Sequence, residues 1–426
     1  MSEPLKGLGM IIVGAGLGGC AAAMAMNAQG FSVSVFEKVN KFGRLGDSLG
    51  LGENALRLLQ RWGLHDRLIE IGNKSEFMQI RRWQDGKILA QQPLMDMAGY
   101  IGHRGDYHEE FLRRVKELGV PIHMGSNVVA YDENEPSLTL SNGEVHKADI
   151  IIAADGIKSL AREIVLGYED KPKSSGYACF RAYFKGAYLK EDPLCREFVE
   201  KECVNIWIGN DVHLVQNTLR DGDEFNWILT HKDTGDIKES WFQPGDMNEV
   251  RKIIKDCDPR IAAAVEKTKE CLDWKICYRD PIPSWVSRSH KIALLGDSCH
   301  PHLPTSAQGA SQATESAAVL ALCLKLAGKE NVALATRVYE KLRFARVRQS
   351  QLNGEDVRDR WHNALKNLDD NIEINPEDVK MRNSWLYPFD AEADTLQRWQ
   401  EVSAQVSKEL QDGNIQPLFS GVPQGL

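Results

Sequence analysis

The stretch "GMIIVGAGLGGCAAAMAMNAQGFSVSVFE", residues 9–37, decides the fold. Its apolar start predicts a strand that is buried on both faces. The Ala- and Met-rich middle is typical of a helix, which we expect to stop at Gly30. The end, "FSVSVFE", predicts a second buried strand that closes with an acidic residue. Together these segments predict one strand–helix–strand unit of a parallel sheet.

Three glycines at the first strand-to-helix turn form the pattern G-x-G-x-x-G at Gly14, Gly16 and Gly19. In this pattern the first glycine permits a tight turn, the second lets a pyrophosphate approach the backbone, and the third lets helix and strand pack closely. The phosphates would lie at the positive helix end. Glu37, at the end of the second strand, suits a ribose hydroxyl and repels a 2′-phosphate. A bound dinucleotide is therefore predicted, with NAD and FAD both possible and NADP disfavoured in this unit.

Two later stretches favour FAD over NAD. "ADIIIAADGIKSLAR" (residues 148–162) and "ALLGDSCHPHLPTSAQGA" (residues 293–310) each place an Asp and a Gly directly after a buried strand. A cofactor held by sites so far apart in the chain must be long and must cross the sheet, as FAD does.

The order of these motifs resembles the group A FAD-dependent monooxygenases, the aromatic hydroxylases that include the p-hydroxybenzoate and salicylate hydroxylases. An Arg in "HRGD" (residues 103–106) also matches, and the resemblance covers about the first 350 residues. "RNSWLYPFDAEADT" (residues 382–395) is similar to the tail of fungal, salicylate hydroxylase-like members. The resemblance implies that NADPH or NADH binds transiently and reduces FAD. O₂ then forms a C4a-hydroperoxyflavin, which hydroxylates a phenol or an aromatic acid.

The expected fold is α/β: a Rossmann-like FAD-binding domain with a glutathione reductase-like βαβ unit, an inserted antiparallel-sheet substrate domain and a C-terminal helical region. From about residue 176 to residue 232 the pattern changes to alternating strands, which marks the inserted domain. The predicted division is 1–172 and 285–345 for the two parts of the FAD-binding domain, 173–284 for the substrate domain and 346–426 for the helical region.

Carried over position by position, the resemblance implies a set of cofactor contacts. Arg104 and Asp297 would bind the ribityl and pyrophosphate region, and Asp155 would serve both FAD and NAD(P)H. Backbone amides next to Pro304 would stabilise the negative charge of the reduced flavin ring. The ADP part is expected to contact Gly14, Ala15, Gly16, Gly18, Gly19, Glu37, Lys38 and Val128, and the ring Pro304, Ala307, Gln308, Gly309 and Ala310.

On the substrate side, "VHLVQNTL" (residues 212–219) resembles a family strand in which His and Tyr face the substrate. His213 matches as the candidate base, but Asn217 stands where Tyr is usual. Arg181, in "CFRAYF", is the second catalytic candidate, because its planar fork could hold a carboxylate or a phenolate. Pro304, expected beside the flavin ring, is the third, and His213, Asn217 and Arg181 are expected to bind the substrate. For both His213 and Arg181 a purely structural role is the alternative. His300 and His302 are expected to be structural.

The sequence "GDSLG" (residues 46–50) departs from the family pattern G-A-G-I. It places Asp47 and Ser48 near the expected flavin edge, where Asp47 would either affect flavin movement or point to solvent. Glu315 and Ser316 replace a common Glu-Asp pair, and the sequence gives no reason for that change.

The composition limits the other function classes. A formal net charge of -8 argues against nucleic-acid binding. Nine cysteines without a C-x-x-C pair predict neither disulfides nor a metal site. Without a basic n-region or a long uninterrupted apolar run, we expect no signal peptide and no membrane span, and hence a cytoplasmic protein. We expect it to be a monomer or a homodimer.

Three alternatives to hydroxylation remain open at this stage. One is a flavin-dependent epoxidase that acts on an indole or alkene in secondary metabolism. Another is a non-catalytic flavin-binding redox sensor. A plain NAD-dependent dehydrogenase ranks last, because it would leave the two later Asp motifs without a role.

Overall fold

The computed structural model describes residues 8–44, 46–94, 100–233, 243–366 and 373–419. The strands are β1 (Met10–Val13), β2 (Val33–Glu37), β3 (Ser48–Leu51), β4 (Phe77–Arg82), β5 (Ile88–Pro93), β6 (Tyr100–His103), β7 (Ile122–Met124), β8 (Val128–Asp132), β9 (Ser137–Leu140), β10 (Val145–Lys147), β11 (Ile150–Ala153), β12 (Lys173–Lys185), β13 (Val204–Gly209), β14 (Val212–Leu219), β15 (Glu224–Lys232), β16 (Gln243–Pro244), β17 (Leu272–Tyr278) and β18 (Ile292–Leu294).

The helices are α1 (Leu17–Ala28), α2 (Glu53–Arg61), α3 (His65–Ile71), α4 (Arg104–Glu117), α5 (Leu160–Leu166), α6 (Ala187–Lys190), α7 (Glu197–Glu200), α8 (Met247–Ile254), α9 (Pro259–Glu266), α10 (Gly309–Ala327), α11 (Val332–Asn363), α12 (Pro376–Val379) and α13 (Ala391–Gln411). Short 3-10 turns lie at Gly296–Ser298, Pro304–Ser306 and Lys329–Asn331.

A parallel sheet forms the centre of the cofactor half, with the strand order β18-β11-β1-β2-β7. All residues of β1 and β11 are buried, as expected for strands covered on both faces. Helix α1 connects β1 to β2 and packs against α10 and α4. The predicted strand–helix–strand unit is therefore confirmed, and so is the α/β fold class.

The second sheet has eight strands in the order β16-β17-β12-β15-β14-β13-β4-β5. The four strands that the alternating patterns predicted are present as β12 to β15: β13, β14 and β15 pair antiparallel in chain order, and β12 pairs antiparallel with β15. Strands β4 and β5, which come from residues 77–93, join the same sheet because β4 pairs in parallel with β13. The sequence did not predict this addition, and the exact domain boundaries stay a prediction.

The eight-stranded sheet has two different faces. On one face Phe180, Leu214 and Leu229 pack into a core with Trp207 and Trp227. The residues that alternate with them point to the other side, and Arg181, Ile228 and Val215 form one register row there. Ile228 packs against the small apolar cluster of Cys179, Ile276 and Leu303, and Val215 and Ala307 pack against one further apolar cluster. This second face, which we call the substrate face, is thus turned toward the loop between β18 and α10.

The C-terminal helices α10, α11 and α13 pack on one another beside the parallel sheet. Across the residues that the structure describes, no helix combines the length and the apolar character that crossing a membrane requires.

Candidate active site

Three turns meet at the carboxyl edge of the parallel sheet. Strands β1, β11 and β18 are neighbours, so the turns that follow them lie side by side. Gly14 follows β1 with φ +97°, and a Cβ there would lie 2.4 Å from the carbonyl oxygen of Ala154. The Ser298 hydroxyl donates to the Ala153 carbonyl (2.7 Å) and so fixes the third turn against the second. The structure thus brings the three predicted motifs together.

The glycines of the first turn have different surroundings. A Cβ on Gly19 would lie 1.8 Å from the carbonyl oxygen of Gly14, so this position is needed for close packing. A Cβ on Gly18 would be in ordinary contact with Ala313 (3.4 Å). A Cβ on Gly16 would meet no atom within 4 Å, and no side chain caps the first N–H groups of α1 behind it. The turn therefore leaves open space at the helix end whose amides can bind an anion.

Glu37 is buried, and its carboxylate is bound by backbone amides. The Ala15 N–H donates to Oε2 (2.8 Å) and the Val39 N–H donates to Oε1 (3.0 Å). Glu37 therefore orders the glycine turn, and its contact with a ribose stays a prediction. Lys38 is exposed and Val128, at the start of β8, is half-buried.

Asp155 lies in the second turn with one carboxylate oxygen unsatisfied. Its Oδ2 accepts a hydrogen bond from the Tyr131 hydroxyl (3.3 Å), whereas Oδ1 has no partner among the described residues. Burial raises the pKa of this carboxyl. Below it, buried Arg162 donates to the carbonyl oxygens of Ser298 and Cys299 (both 3.3 Å) and ties the second turn to the third. A buried acceptor without a partner fits a hydroxyl group of a nucleotide.

Asp297 and Arg104 are accessible to solvent, yet the surrounding protein shifts the pKa of both. Asp297 is accessible to solvent, yet the protein around it raises the pKa of its carboxyl by desolvation, against the attraction of Arg104. Desolvation likewise lowers the pKa of Arg104, and Asp297 opposes that shift. Accessible groups that are desolvated lie in a concave site, which is what a large cofactor needs.

The loop after the third turn leads into the N-terminus of α10. Ala307 takes the left-handed conformation (φ +49°), and α10 then begins at Gly309 without a side-chain cap. The buried Gln308 side chain points away from this end, since its Oε1 accepts from the amides of Asn54 (3.2 Å) and Gln312 (3.4 Å). Its backbone, with those of Gly309 and Ala310, is what the loop offers to a ligand.

A buried charge cluster, which the sequence did not predict, supports this loop from behind. Glu315 is fully buried and accepts hydrogen bonds from Arg343 (2.5 Å) and from Arg346 (2.8 and 2.9 Å). Asn54 and Gln312 donate to the same carboxylate, which links it to Gln308. The unexplained Glu at position 315 thus holds α2, α10 and α11 together.

On the substrate face, Arg181 and Asn217 contact the loop that departs from the family pattern. Arg181 is 4% exposed and its Nη1 donates to Asp47 Oδ2 (2.7 Å), while its guanidinium lies 5.2 Å from the centre of the Trp274 ring. The Asn217 amide donates to the Ser48 hydroxyl (3.0 Å). Asp47 is thus directed to the sheet, and the alternative that it points to solvent was wrong.

His213 lies on the substrate face in the row next to that of Arg181, where it pairs with Thr230. Helix α11 covers it. It is 3% exposed, and its Nδ1 shares a hydrogen bond of 2.7 Å with Nε2 of His362. The edge of Trp361 covers the His213 ring. Burial, with a smaller contribution from His362, holds the pKa of His213 well below its usual range. His362 has no local sequence signal and was missed.

Comparison with known proteins assigns this architecture to a family. The profile of the FAD binding domain matches residues 8–350. Asperlicin C monooxygenase of Petromyces alliaceus is 31% identical over 417 residues, which are 93% of this chain and 89% of that protein. The chain belongs to the FAD-dependent monooxygenases. The resemblance stated from the motifs is therefore confirmed, and so is the expectation of an enzyme.

This FAD-dependent monooxygenase is also similar to a second monooxygenase in sequence and to a solved FAD complex in structure. The 6-hydroxynicotinate 3-monooxygenase of Pseudomonas fluorescens is 34% identical over 354 residues, 81% of this chain and 90% of that protein. The crystal structure of CtdE in complex with FAD and substrate 4 is similar with a TM-score of 0.86 and 29% identity, and it covers 94% of this chain and 100% of that one.

The residues present in the monooxygenase fit FAD. The turns that meet at this edge carry open space in front of Gly16, the N-termini of α1 and α10 without a side-chain cap, and the unpartnered Oδ1 of Asp155. Helix N-termini suit the pyrophosphate and an anionic ring, and the carboxylate oxygen suits a hydroxyl group.

Proposed function

We propose that this monooxygenase uses NADH or NADPH and O₂ to add one oxygen atom to an aromatic substrate. The observation that carries this proposal is the arrangement of the substrate face, where Ile228 packs against the apolar cluster that contains Leu303, and Val215 packs against the same apolar cluster as Ala307. A flat ring between that face and the loop would lie next to the cofactor. The relative that oxidises 6-hydroxynicotinate, by its name, supports an aromatic substrate.

Bound FAD would supply the redox chemistry, taking a hydride from NAD(P)H and activating O₂. The protein binds and orients both reactants. The amides of Gln308, Gly309 and Ala310 at the start of α10 would stabilise negative charge on the flavin ring. Asp155, Arg104 and Asp297 would fix the extended part of the cofactor, and the Pro304–Ser306 turn would keep the loop rigid.

The surroundings of the candidate base His213 support epoxidation as a second candidate reaction. An aromatic hydroxylase needs a group that takes the phenol proton, and His213 is the candidate base. In this chain His213 is buried against His362 and Trp361, and Asn217 stands in the place of the usual Tyr. Epoxidation of an indole or alkene requires no phenol base, so this arrangement favours epoxidation as the alternative.

The test is a substrate screen with the FAD-loaded protein. NADH and NADPH oxidation are followed with salicylates, hydroxybenzoates, neutral phenols and indoles, and ¹⁸O₂ reports the origin of the oxygen in the product. We expect oxidation that substrate stimulates, with one labelled atom in the product. Absence of both with every compound would contradict the proposal. A His213→Gln variant that keeps its rate with indoles but loses about a hundredfold with phenols would show which reaction uses this residue.

A further inference from the structure

We propose that Asp47 makes this enzyme select neutral aromatic substrates and reject aromatic carboxylates, because its carboxylate already occupies the guanidinium of Arg181. This inference rests on the proposed function and narrows its substrate class. Arg181 alone would predict the opposite preference, since an arginine on a substrate face normally holds an anion.

The ion pair between Arg181 and Asp47 is part of the substrate face. Arg181 shares its register row with Ile228 and Val215, the two apolar residues that face the loop between β18 and α10. Asp47 directly precedes β3, and a Cβ on Gly50 of that strand would lie 3.8 Å from the Cβ of Ala307. The pair therefore lies where the sheet and the cofactor loop approach each other. Both side chains are shielded, with exposures of 4% and 13%.

An aromatic acid would have to compete with Asp47 for this guanidinium. Displacing Asp47 leaves a shielded carboxylate without its counter-charge, which is strongly unfavourable. Leaving Asp47 in place puts two carboxylates on one cation, which is unfavourable unless one takes up a proton. A neutral ring meets neither penalty, since it leaves the internal pair intact.

The other cations around this face are also matched by acids. Burial lowers the pKa of Arg104, and the attraction of the Asp297 and Asp47 carboxylates opposes that shift. At the opposite end of the face, Arg44 pairs with Asp106 (2.5 Å) and Glu224 (2.9 Å). Arg220 binds the same two acids, at 2.7 and 3.3 Å. Arg181, Arg44 and Arg220 therefore each have a carboxylate partner before any substrate binds.

The neighbouring row offers hydrogen-bond acceptors instead of a cation. Asn217 and Asn226 lie opposite each other in register and are 1% and 0% exposed. Their amide groups donate to Ser48 and to the carbonyl of Ala182, whereas neither Oδ1 has a partner within the described part of the chain. Buried acceptors of this kind suit an N–H or O–H donor on a neutral ring.

The experiment compares benzoate with benzamide, which differ little in shape but carry different charges. Calorimetric titration of the FAD-loaded protein measures both affinities in the wild type, in Asp47→Asn and in the double variant Asp47→Asn/Arg181→Gln. We expect the wild type to bind benzamide at least about tenfold more tightly than benzoate. Asp47→Asn should gain about tenfold or more for benzoate with little change for benzamide. The double variant should lose that gain, because the guanidinium is absent.

The proposal is overturned if wild-type protein binds benzoate as tightly as benzamide, or if Asp47→Asn gains no benzoate affinity. Should Asp47→Asn fail to retain FAD, the wild-type comparison and the double variant, in which no buried charge is left unpaired, decide the matter. These outcomes are independent of the proposed reaction. Charge selection is measured by binding, whereas the monooxygenase proposal fails only when no aromatic compound stimulates NAD(P)H oxidation.

Discussion

Gly16 and Gly19 belong to one glycine turn, but the structure assigns them different tasks. Gly16→Ser keeps a favoured N-cap residue and places its side chain in the open space before α1. We expect it to weaken FAD binding about tenfold or more, with little change in the thermal midpoint of the apoprotein. FAD titration and thermal unfolding measure the two effects.

Gly19→Ala is the matched variant, because its Cβ would overlap the carbonyl oxygen of Gly14 and force α1 away from β1. This overpacking should cost about 3 kcal/mol or more and lower the thermal midpoint. If both variants lowered stability equally, Gly16 would be a packing residue like Gly19, and its assignment to the cofactor would be incorrect.

The His213–His362 pair makes stability depend on pH. Burial lowers the pKa of His362 from near 6.5 to about 4, and it holds that of His213 well below 6.5. Because the unfolded chain takes up protons first, the stability present above about pH 6.5 is lost as the pH falls toward 4. His362→Gln should reduce this loss by an amount on the order of 2–3 kcal/mol. Urea unfolding at pH 7 and pH 4.5 measures it, with His123→Gln at an exposed histidine as control. If His362→Gln lost as much stability between pH 7 and pH 4.5 as the wild type, His362 would not be the buried neutral histidine that this account predicts.

At the residue scale, the sequence predicted what local patterns encode. The glycine turn, Asp155 and Asp297 each stand directly after a buried strand, so their meeting followed from the parallel sheet. The partners of Arg181 and His213 could not be predicted in the same way. Asp47 is 134 residues from Arg181, and His362 is 149 residues from His213, so no spacing rule connects either pair.

At the scale of elements, Glu315 connects three helices and the cofactor loop. Glu315→Gln would leave Arg343 and Arg346 buried without their counter-charge, which we expect to cost about 3–5 kcal/mol. FAD affinity should fall as well, because Asn54 and Gln312 position Gln308 through the same cluster. Urea unfolding and FAD titration measure both effects.

The matched control is Glu330→Gln, at an exposed acid on the turn between α10 and α11. It should leave both quantities within a few tenths of a kcal/mol of wild type. Equal stability of the two variants would mean that the buried cluster does not hold the helices together.

The elements themselves were predicted unevenly. Segments with a strong apolar pattern correctly predicted β1, α1, β2 and the four strands β12 to β15, because burial on one or two faces determines the periodicity of apolar residues. The placement of β4 and β5 in the substrate sheet depends on a parallel pairing of Phe77–Arg82 with Val204–Gly209. Such a pairing depends on tertiary packing, so local sequence does not reveal it.

For the whole molecule, the order of three distant motifs was enough to predict the cofactor and the family. The central claim is that the three turns at the edge of the parallel sheet form one FAD site. The proposed preference for neutral substrates depends on other contacts, those of Arg181 with Asp47 and of Asn217 with Ser48. The motifs do not encode these contacts.

Titration of the purified apoprotein with FAD tests this claim most directly, with flavin fluorescence reporting binding and gel filtration reporting retention. The account predicts one FAD per chain, with affinity lowered about tenfold or more in Asp155→Ala and Gly16→Ser. A folded wild-type protein that takes up no FAD, or binds it equally well in both variants, would contradict the account.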